Sequence, residues 1–146
     1  MYGSYVIIQT VQYELIFKTR YVINGEDNHY FVARQDIIVH EFLHWPDAVQ
    51  YCTDINGRLM EIRTQQQYDE AAPYVSGLGW FWLGASDAEI EGIWRWESDG
   101  SLVDMTMFWA SGSPSNADNQ DYMYLRAEGF DDNWNVNRLK FFCQFD

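Results

Sequence analysis

The chain has 146 residues, 47% apolar and 18% aromatic, which is enough for one domain with a packed core and too hydrophobic for a disordered segment. Nine Lys and Arg against 22 Asp and Glu give a formal net charge of −13, which repels a phosphate backbone and disfavours nucleic acid and anionic membranes as partners. Cations and basic protein surfaces suit that charge better.

The opening MYGSYVIIQTVQ has neither a basic start nor an unbroken apolar stretch, so no signal peptide is expected there, and no apolar run is long enough to insert into a membrane. Tyr5 to Phe17, rich in Val, Ile and Tyr, reads as extended strand. Asn24 to Asn28 reads as a turn between Tyr21–Ile23 and Tyr30–Ala33, which predicts a hairpin. Asp36 to Trp45 fits strand or helix, and the choice matters. Residues 40 to 44, His40-Glu41-Phe42-Leu43-His44, match H-E-x-x-H. On a helix the two histidines share one face and can hold a zinc ion while the glutamate acts as base. On a strand they stand roughly 13 Å apart, too far for one metal.

Three features weigh against a zinc metalloprotease, which is kept only as a remote alternative. Pro46 biases Trp45 away from helical geometry, so a zinc helix would be cut at its second ligand. The third histidine, His29, lies upstream, leaving only Glu61 or Glu70 as a downstream ligand. The chain is also short to wall a substrate cleft. No G-x-S-x-G, phosphate-cradling glycine loop or cysteine nucleophile with a downstream histidine occurs, so no enzymatic activity is expected. Read as strand, the stretch puts His40, Phe42 and His44 on one face, with Glu41 and Leu43 on the other.

Pro46 is suited to the first position of a helix in which Ala48, Val49, Cys52 and Ile55 follow helical spacing, and Asn56-Gly57 ends it. Leu59, Met60 and Ile62 predict a short strand. Thr64 and Gln67 have the spacing of a capping box, so a second helix should run to about Val75 and stop at Gly77 and Gly79. Beyond Trp80 the pieces WFWLGASD, IWRWESDG, FWASGSPS, DYMYLR, DDNWNVN and KFFCQF are short, aromatic and divided by Gly, Asp, Asn and Ser, which predicts many short strands with long loops. Tyr122 and Tyr124 alternate with Met123 and Leu125, so one face of that strand should be buried. Two helices followed by strands indicate an α+β domain. Cys52 and Cys143 fit either two core thiols or one disulfide.

HWPDAVQYC, NGRLMEIRTQQQYDE, WLGASDAEIEGIWRWESDG, WASGSPSN, NWNV and FFCQF, in this order, resemble the C-type lectin-like domain. The likeness runs from about Tyr30 to Asp146. It implies two helices packed on small antiparallel sheets with a long loop region, and divides the chain into an N-terminal β segment, 1–25, and a lectin-like domain, 26–146. The approach from Tyr30 to Trp45 is several residues longer than the family usually shows. The resemblance pairs Cys52 with Cys143, a long loop closure worth about 4–5 kcal/mol in the chain-entropy model, and places the protein in an oxidising, extracellular compartment. The family's inner disulfide has no counterpart. Tyr122 stands at its first cysteine and Asn137 to Leu139 supply no second, so packing must hold the long loop.

Sugar-binding members hold a primary Ca²⁺ through Glu-Pro-Asn, a further Glu and the Asn-Asp of W-N-D. This chain has Ser113-Pro114-Ser115, Gln120 and Asn135-Val136 there, keeping only Asn135 and no carboxylate. A divalent cation has little to offset its dehydration at such a site, so it should be absent or weak. The resemblance raises the expectation that Pro114 is cis. An auxiliary calcium site of some members is better matched, by Asp87, Glu91, Asn116, Gln120 and Asp121, making Ca²⁺ the one cofactor the resemblance allows. The acidic stretch Glu128 to Asp132 reads as a solvated turn. Ligand recognition then falls to Ser113, Ser115, Asn116, Asn119, Gln120 and Asn135, with Trp109, Tyr122, Tyr124 and Trp134 as aromatic candidates. Trp82, Trp94, Trp96, Trp109 and Trp134 match family core positions and should pack inside. The expected role is a secreted recognition protein for a carbohydrate or glycoprotein ligand. A protein-binding or a matrix- or mineral-associated domain is the alternative, and the oligomeric state is left open.

Overall fold

The computed structural model describes residues 5–8, 11–16, 21–24, 29–32 and 36–146. Thirteen elements follow in order: β1 (Tyr5–Ile8), β2 (Val11–Ile16), β3 (Tyr21–Asn24), β4 (His29–Val32), β5 (Asp36–Leu43), α1 (Trp45–Asp54), β6 (Arg58–Leu59), α2 (Gln65–Leu78), β7 (Phe81–Ser86), β8 (Arg95–Trp96), β9 (Tyr122–Arg126), β10 (Gly129–Asn133) and β11 (Leu139–Gln144). The α+β architecture expected from the sequence is present. Its main sheet runs β1-β2-β5-β11-β7-β9-β10, with β6 beside β11 and β8 beside β7, while β3 and β4 form a separate antiparallel pair. The turn at 25–28 and Ala33 lie outside the described residues. Within Tyr5 to Phe17, read as extended strand, the described residues form two strands, β1 and β2, paired antiparallel, and β2 pairs with β5.

The ambiguous stretch before Pro46 is strand. β5 ends at Leu43 and His44 is the extended N-cap of α1, with Pro46 in the first helical turn. The H-E-x-x-H pattern therefore never forms a helical face. His44 is also engaged at both ring nitrogens: Nδ1 lies 3.3 Å from the Asn137 carbonyl and Nε2 accepts from Arg138 at 3.2 Å. The capping box of α2 is formed as the spacing predicts, and Gly79, at φ 102°, closes the helix three residues later than expected, with Gly77 and Pro73 inside it.

β11 lies between β5 and β7, pairing antiparallel with the first and parallel with the second. A strand with neighbours on both sides and cover on both faces needs a nearly continuous apolar run, and Phe141, Phe142 and Cys143 are all fully buried. Because side chains alternate across the sheet, the core splits in two. Ile38, Phe81, Leu83, Met123, Leu125 and Phe142 pack with α2 residues Ala71 and Val75. Ile37, Val39, Trp82, Tyr124, Phe141 and Cys143 pack with α1 residues Trp45, Ala48 and Cys52. Both faces of β9 are thus covered, not one, because α1 shields the tyrosine side. Gly84 permits the close approach of β6 and β7: a Cβ there would lie 2.6 Å from the Leu59 carbonyl oxygen.

Cys52 and Cys143 are disulfide-bonded, joining α1 to β11. Where the family's inner cysteine would stand, Tyr122 stacks on Trp45 at 4.4 Å and meets Trp82 edge-on at 6.2 Å. Trp45 and Trp82 donate their indole N–H groups to Leu83 and Leu43 carbonyls, both at 2.8 Å, which fixes the two rings. The Cys52→Ala/Cys143→Ala double variant should lose about 2–5 kcal/mol of unfolding free energy. A lowered denaturant midpoint measures this; an unchanged midpoint would show that strand pairing alone holds β11.

Candidate functional site

The long loop spans the chain between β8 and β9 and returns against β10. Phe108, Asn116 and Asn119 have positive φ, and the Ser113–Pro114 bond is cis. Asparagine tolerates such geometry better than most residues, which suits it to these bends.

Two carboxylates on β10 grip the loop. Asp132, 6% exposed, accepts from the Ser115 N–H at 2.9 Å, the Ser115 hydroxyl at 2.7 Å and the Asn116 N–H at 3.0 Å. Asp131 accepts from the Ser113 hydroxyl at 2.6 Å, the Arg126 Nε at 2.8 Å and the Tyr124 hydroxyl at 3.2 Å. Burial of Asp131 favours its protonated form, but the hydrogen bonds it accepts outweigh that and hold its pKa below the ordinary range. The expectation of a solvated turn at Glu128 to Asp132 is therefore corrected. Asp131 and Asp132 are strand residues, and sequence reasoning missed their role because a polar FDDN run carries no apolar alternation.

The positions of the primary calcium site are occupied by this internal network. Ser113 and Ser115 are spent on Asp131 and Asp132. Asn135 accepts from the Asp121 N–H at 3.0 Å and donates to the Asp121 carboxylate at 2.6 Å. Val136 is 77% exposed and brings no oxygen. Asn119 is exposed, and its carbonyl accepts the Asn135 N–H at 2.8 Å, which sets it beside 134–136. Trp82, Trp94 and Trp96 are buried, as expected, and Trp109 is partly so. Trp134 is corrected to a surface residue, 48% exposed, because the 134–137 turn tied to Asn133 carries it outward.

Of the five auxiliary-site candidates, the structure gathers three. Asp87, Glu91 and Asp121 place carboxylate oxygens within 4.8 Å of one another, the only such group among the described residues. The amide oxygen of Asn116 accepts internally, from Trp94 Nε1 at 3.3 Å, and the Gln120 side chain lies 2.8 Å from the Ser115 hydroxyl, whose one proton goes to Asp132. Asp87 is 1% exposed; one oxygen accepts from the Gly92 N–H at 2.8 Å and the other is buried without a donor. Desolvation first, and repulsion from Asp121 second, raise its pKa despite the Gly92 bond; Glu91 is raised as well. A hard cation with oxygen ligands fits this set, satisfying the orphaned oxygen and cancelling the repulsion. Asp87, Glu91 and Asp121 would hold it.

A carboxylate whose folded-state pKa is raised stabilises the fold as pH falls towards its unfolded value and strains it at neutral pH, where both states are ionised. At pH 7, millimolar Ca²⁺ should therefore raise the melting temperature saturably. The rise should shrink as the pH falls and protons compete for these carboxylates, whose pKa values are raised, and vanish in Asp87→Asn, whose metal-free form should melt no lower than the parent. A calcium response unchanged in Asp87→Asn would remove the site from these residues.

Residues 41–145 match the family model described as the lectin C-type domain. CD209 antigen-like protein C of Mus musculus is 30% identical over 91 residues, covering 61% of this chain and 51% of the relative. Perlucin-like protein of Mytilus galloprovincialis is 33% identical over 82 residues, covering 53% and 52%. The chain spans about half the length, or less, of the curated relatives it matches. The mouse scavenger receptor C-type lectin carbohydrate-recognition domain superposes with a TM-score of 0.70 at 27% identity, covering 77% of this chain and 88% of that one. A calcium-independent type II antifreeze protein shares the fold with a TM-score of 0.63 at 21% identity, covering 88% and 93%. Among the described residues, no helix is long and apolar enough to cross a membrane. With this match over most of its length, two helices on a multi-stranded sheet and the helix-to-last-strand disulfide, the chain belongs to the C-type lectin domain family, which is non-enzymatic.

Proposed function

We propose that the protein is a secreted recognition module whose long-loop face binds a carbohydrate or glycoprotein without a sugar-coordinating calcium ion. The observation that carries this reading is the fate of the primary-site positions. Ser113, Ser115 and Asn135 are bound to the protein's own carboxylates, and Val136 replaces the last ligand. The surface left includes an exposed Trp134 and Val136, with the exposed Asn119 tied to the same turn through the Asn135 N–H. An aromatic face with nearby amides suits sugar C–H groups and hydroxyls together. Ca²⁺ at Asp87, Glu91 and Asp121 would act behind this surface, through Asp121 and its two bonds to Asn135, by stiffening it. The disulfide fits an oxidising compartment, and residues 1–25 are read as an accessory β segment, of which β1 and β2 extend the sheet of the lectin-like domain, 26–146.

The exposed pair Trp134 and Val136 also favours a second reading, in which the same face binds a protein, since apolar anchors ringed by polar groups are the usual interface centre. A glycan array run in calcium and in chelator separates the two. Chelator-resistant binding that falls at least tenfold in Trp134→Ala supports the first reading. Binding abolished by chelator would reinstate a bridging cation, and no glycan binding in either buffer would favour the protein ligand.

A further inference from the structure

A cavity of about 210 Å³ opens beside the start of α2, lined in part by the first stretch of the long loop, 102–108, with Ile62, Trp96, Val103, Phe108 and Phe130 as its floor and walls. Its mouth is apolar and acidic at once. Leu102 lines it at 64% exposure, and the exposed Asp104 lines it too. Leaving such side chains in water is unfavourable, and clusters of them mark interaction sites.

The wall is built rather than accidental. Phe108 holds φ 68°, an outlier for a bulky residue. That geometry is imposed by β10: the Phe130 N–H donates to the Phe108 carbonyl at 2.7 Å, and Gly129 supplies the missing Cβ that would otherwise collide with that oxygen. The Phe108 ring lies flat on Tyr68 at 4.7 Å, which leaves its other side to the cavity wall. Backbone strain maintained by its surroundings is a mark of a working surface.

The charge around the cavity left without an ion-pair partner is acidic. Arg63 forms its one cationic wall, lying over Trp96 at 5.4 Å, but it is bonded to Glu61 and Asp99 together. Arg126 likewise sits between Glu128 and Asp131. Among the described residues, Asp104 and Asp69 have no cationic partner, and Asp69 and Glu128 act on the hydroxyl of Tyr68, the residue under Phe108.

We propose that this cavity is a docking site for a protein segment that presents one large apolar side chain flanked by lysine or arginine. The cavity is smaller than the roughly 300–1,000 Å³ of typical small-molecule sites, and matches one side chain better than a whole ligand. The acidic rim, and the −13 charge of the chain, select basic flanks and oppose a second copy of the same chain. The cavity shares no lining residue with the candidate ligand face or with the Asp87, Glu91 and Asp121 group.

The test uses a blocked pentapeptide with phenylalanine between two pairs of lysines, titrated in chelator and followed by NMR at the Met107 methyl and Trp96 indole signals. Saturable shifts at both are expected. They should weaken at least tenfold when the phenylalanine is alanine, when the lysines are glutamates, and in Leu102→Asp or Asp104→Lys, both surface changes that leave the core alone. Absence of shifts at the cavity, equal shifts with the glutamate-flanked peptide, or shifts that survive Leu102→Asp would overturn the proposal. So would concentration-dependent shifts without peptide, which would assign the cavity to a second copy.

Discussion

Asp132 sits in the protein interior as a carboxylate, and a buried charge is tolerated only when donors replace the water it has lost. Those donors come from the Ser115 N–H and hydroxyl and from the Asn116 N–H. Charge-assisted bonds of this kind are about twice as strong as neutral ones, and here they are made only when loop and strand lie in one register. The neighbouring Asp131 does the same for Ser113, Tyr124 and Arg126. Once Asn116 is held, its amide oxygen meets Trp94, whose ring packs against Trp109 and so into the core below the loop. The shape of the candidate ligand face follows from these contacts.

This arrangement explains how the loop dispenses with two devices of its family. The inner disulfide is replaced by an aromatic stack, Tyr122 between Trp45 and Trp82, which takes up the same place beside β7 with packing in place of a covalent link. At the primary calcium positions Ser113, Ser115, Gln120 and Val136 stand in place of the family's ligands, and the retained Asn135 bonds to Asp121. What survives is the acidic trio Asp87, Glu91 and Asp121, joined to the proposed ligand face by the Asp121–Asn135 hydrogen bond. A cation there would change the stiffness of the loop and not the list of atoms a ligand meets.

Much of the fold was legible in the sequence because its signals are local. Pro46 settled the reading of HEFLH as strand followed by helix, the Thr64–Gln67 box opened α2 where it should, and the order of tryptophan and cysteine motifs was specific enough to indicate the family. The misses have physical causes. Gly77 was tolerated inside α2, whose Val75 and Ala71 are buried, so packing outweighed propensity. The hairpin in 5–16 lacks a strong turn dipeptide. Trp134 was assigned to the core by its motif, whereas a turn held by Asn133 carries it to the surface. Asp131 and Asp132 could not be placed because hydrogen bonds across 16 to 18 residues leave no periodic trace. The cavity beside α2 is assembled from four separate segments and left none either.

Amide hydrogen exchange at Ser115 and Asn116 in metal-free protein tests most directly whether the protein's own carboxylate shapes the loop. Both amides should be protected in chelator, and both should exchange far faster in Asp132→Asn while the amides of β11 keep their protection. Rapid exchange in the parent protein until calcium is added would show that a cation, and not Asp132, orders the loop.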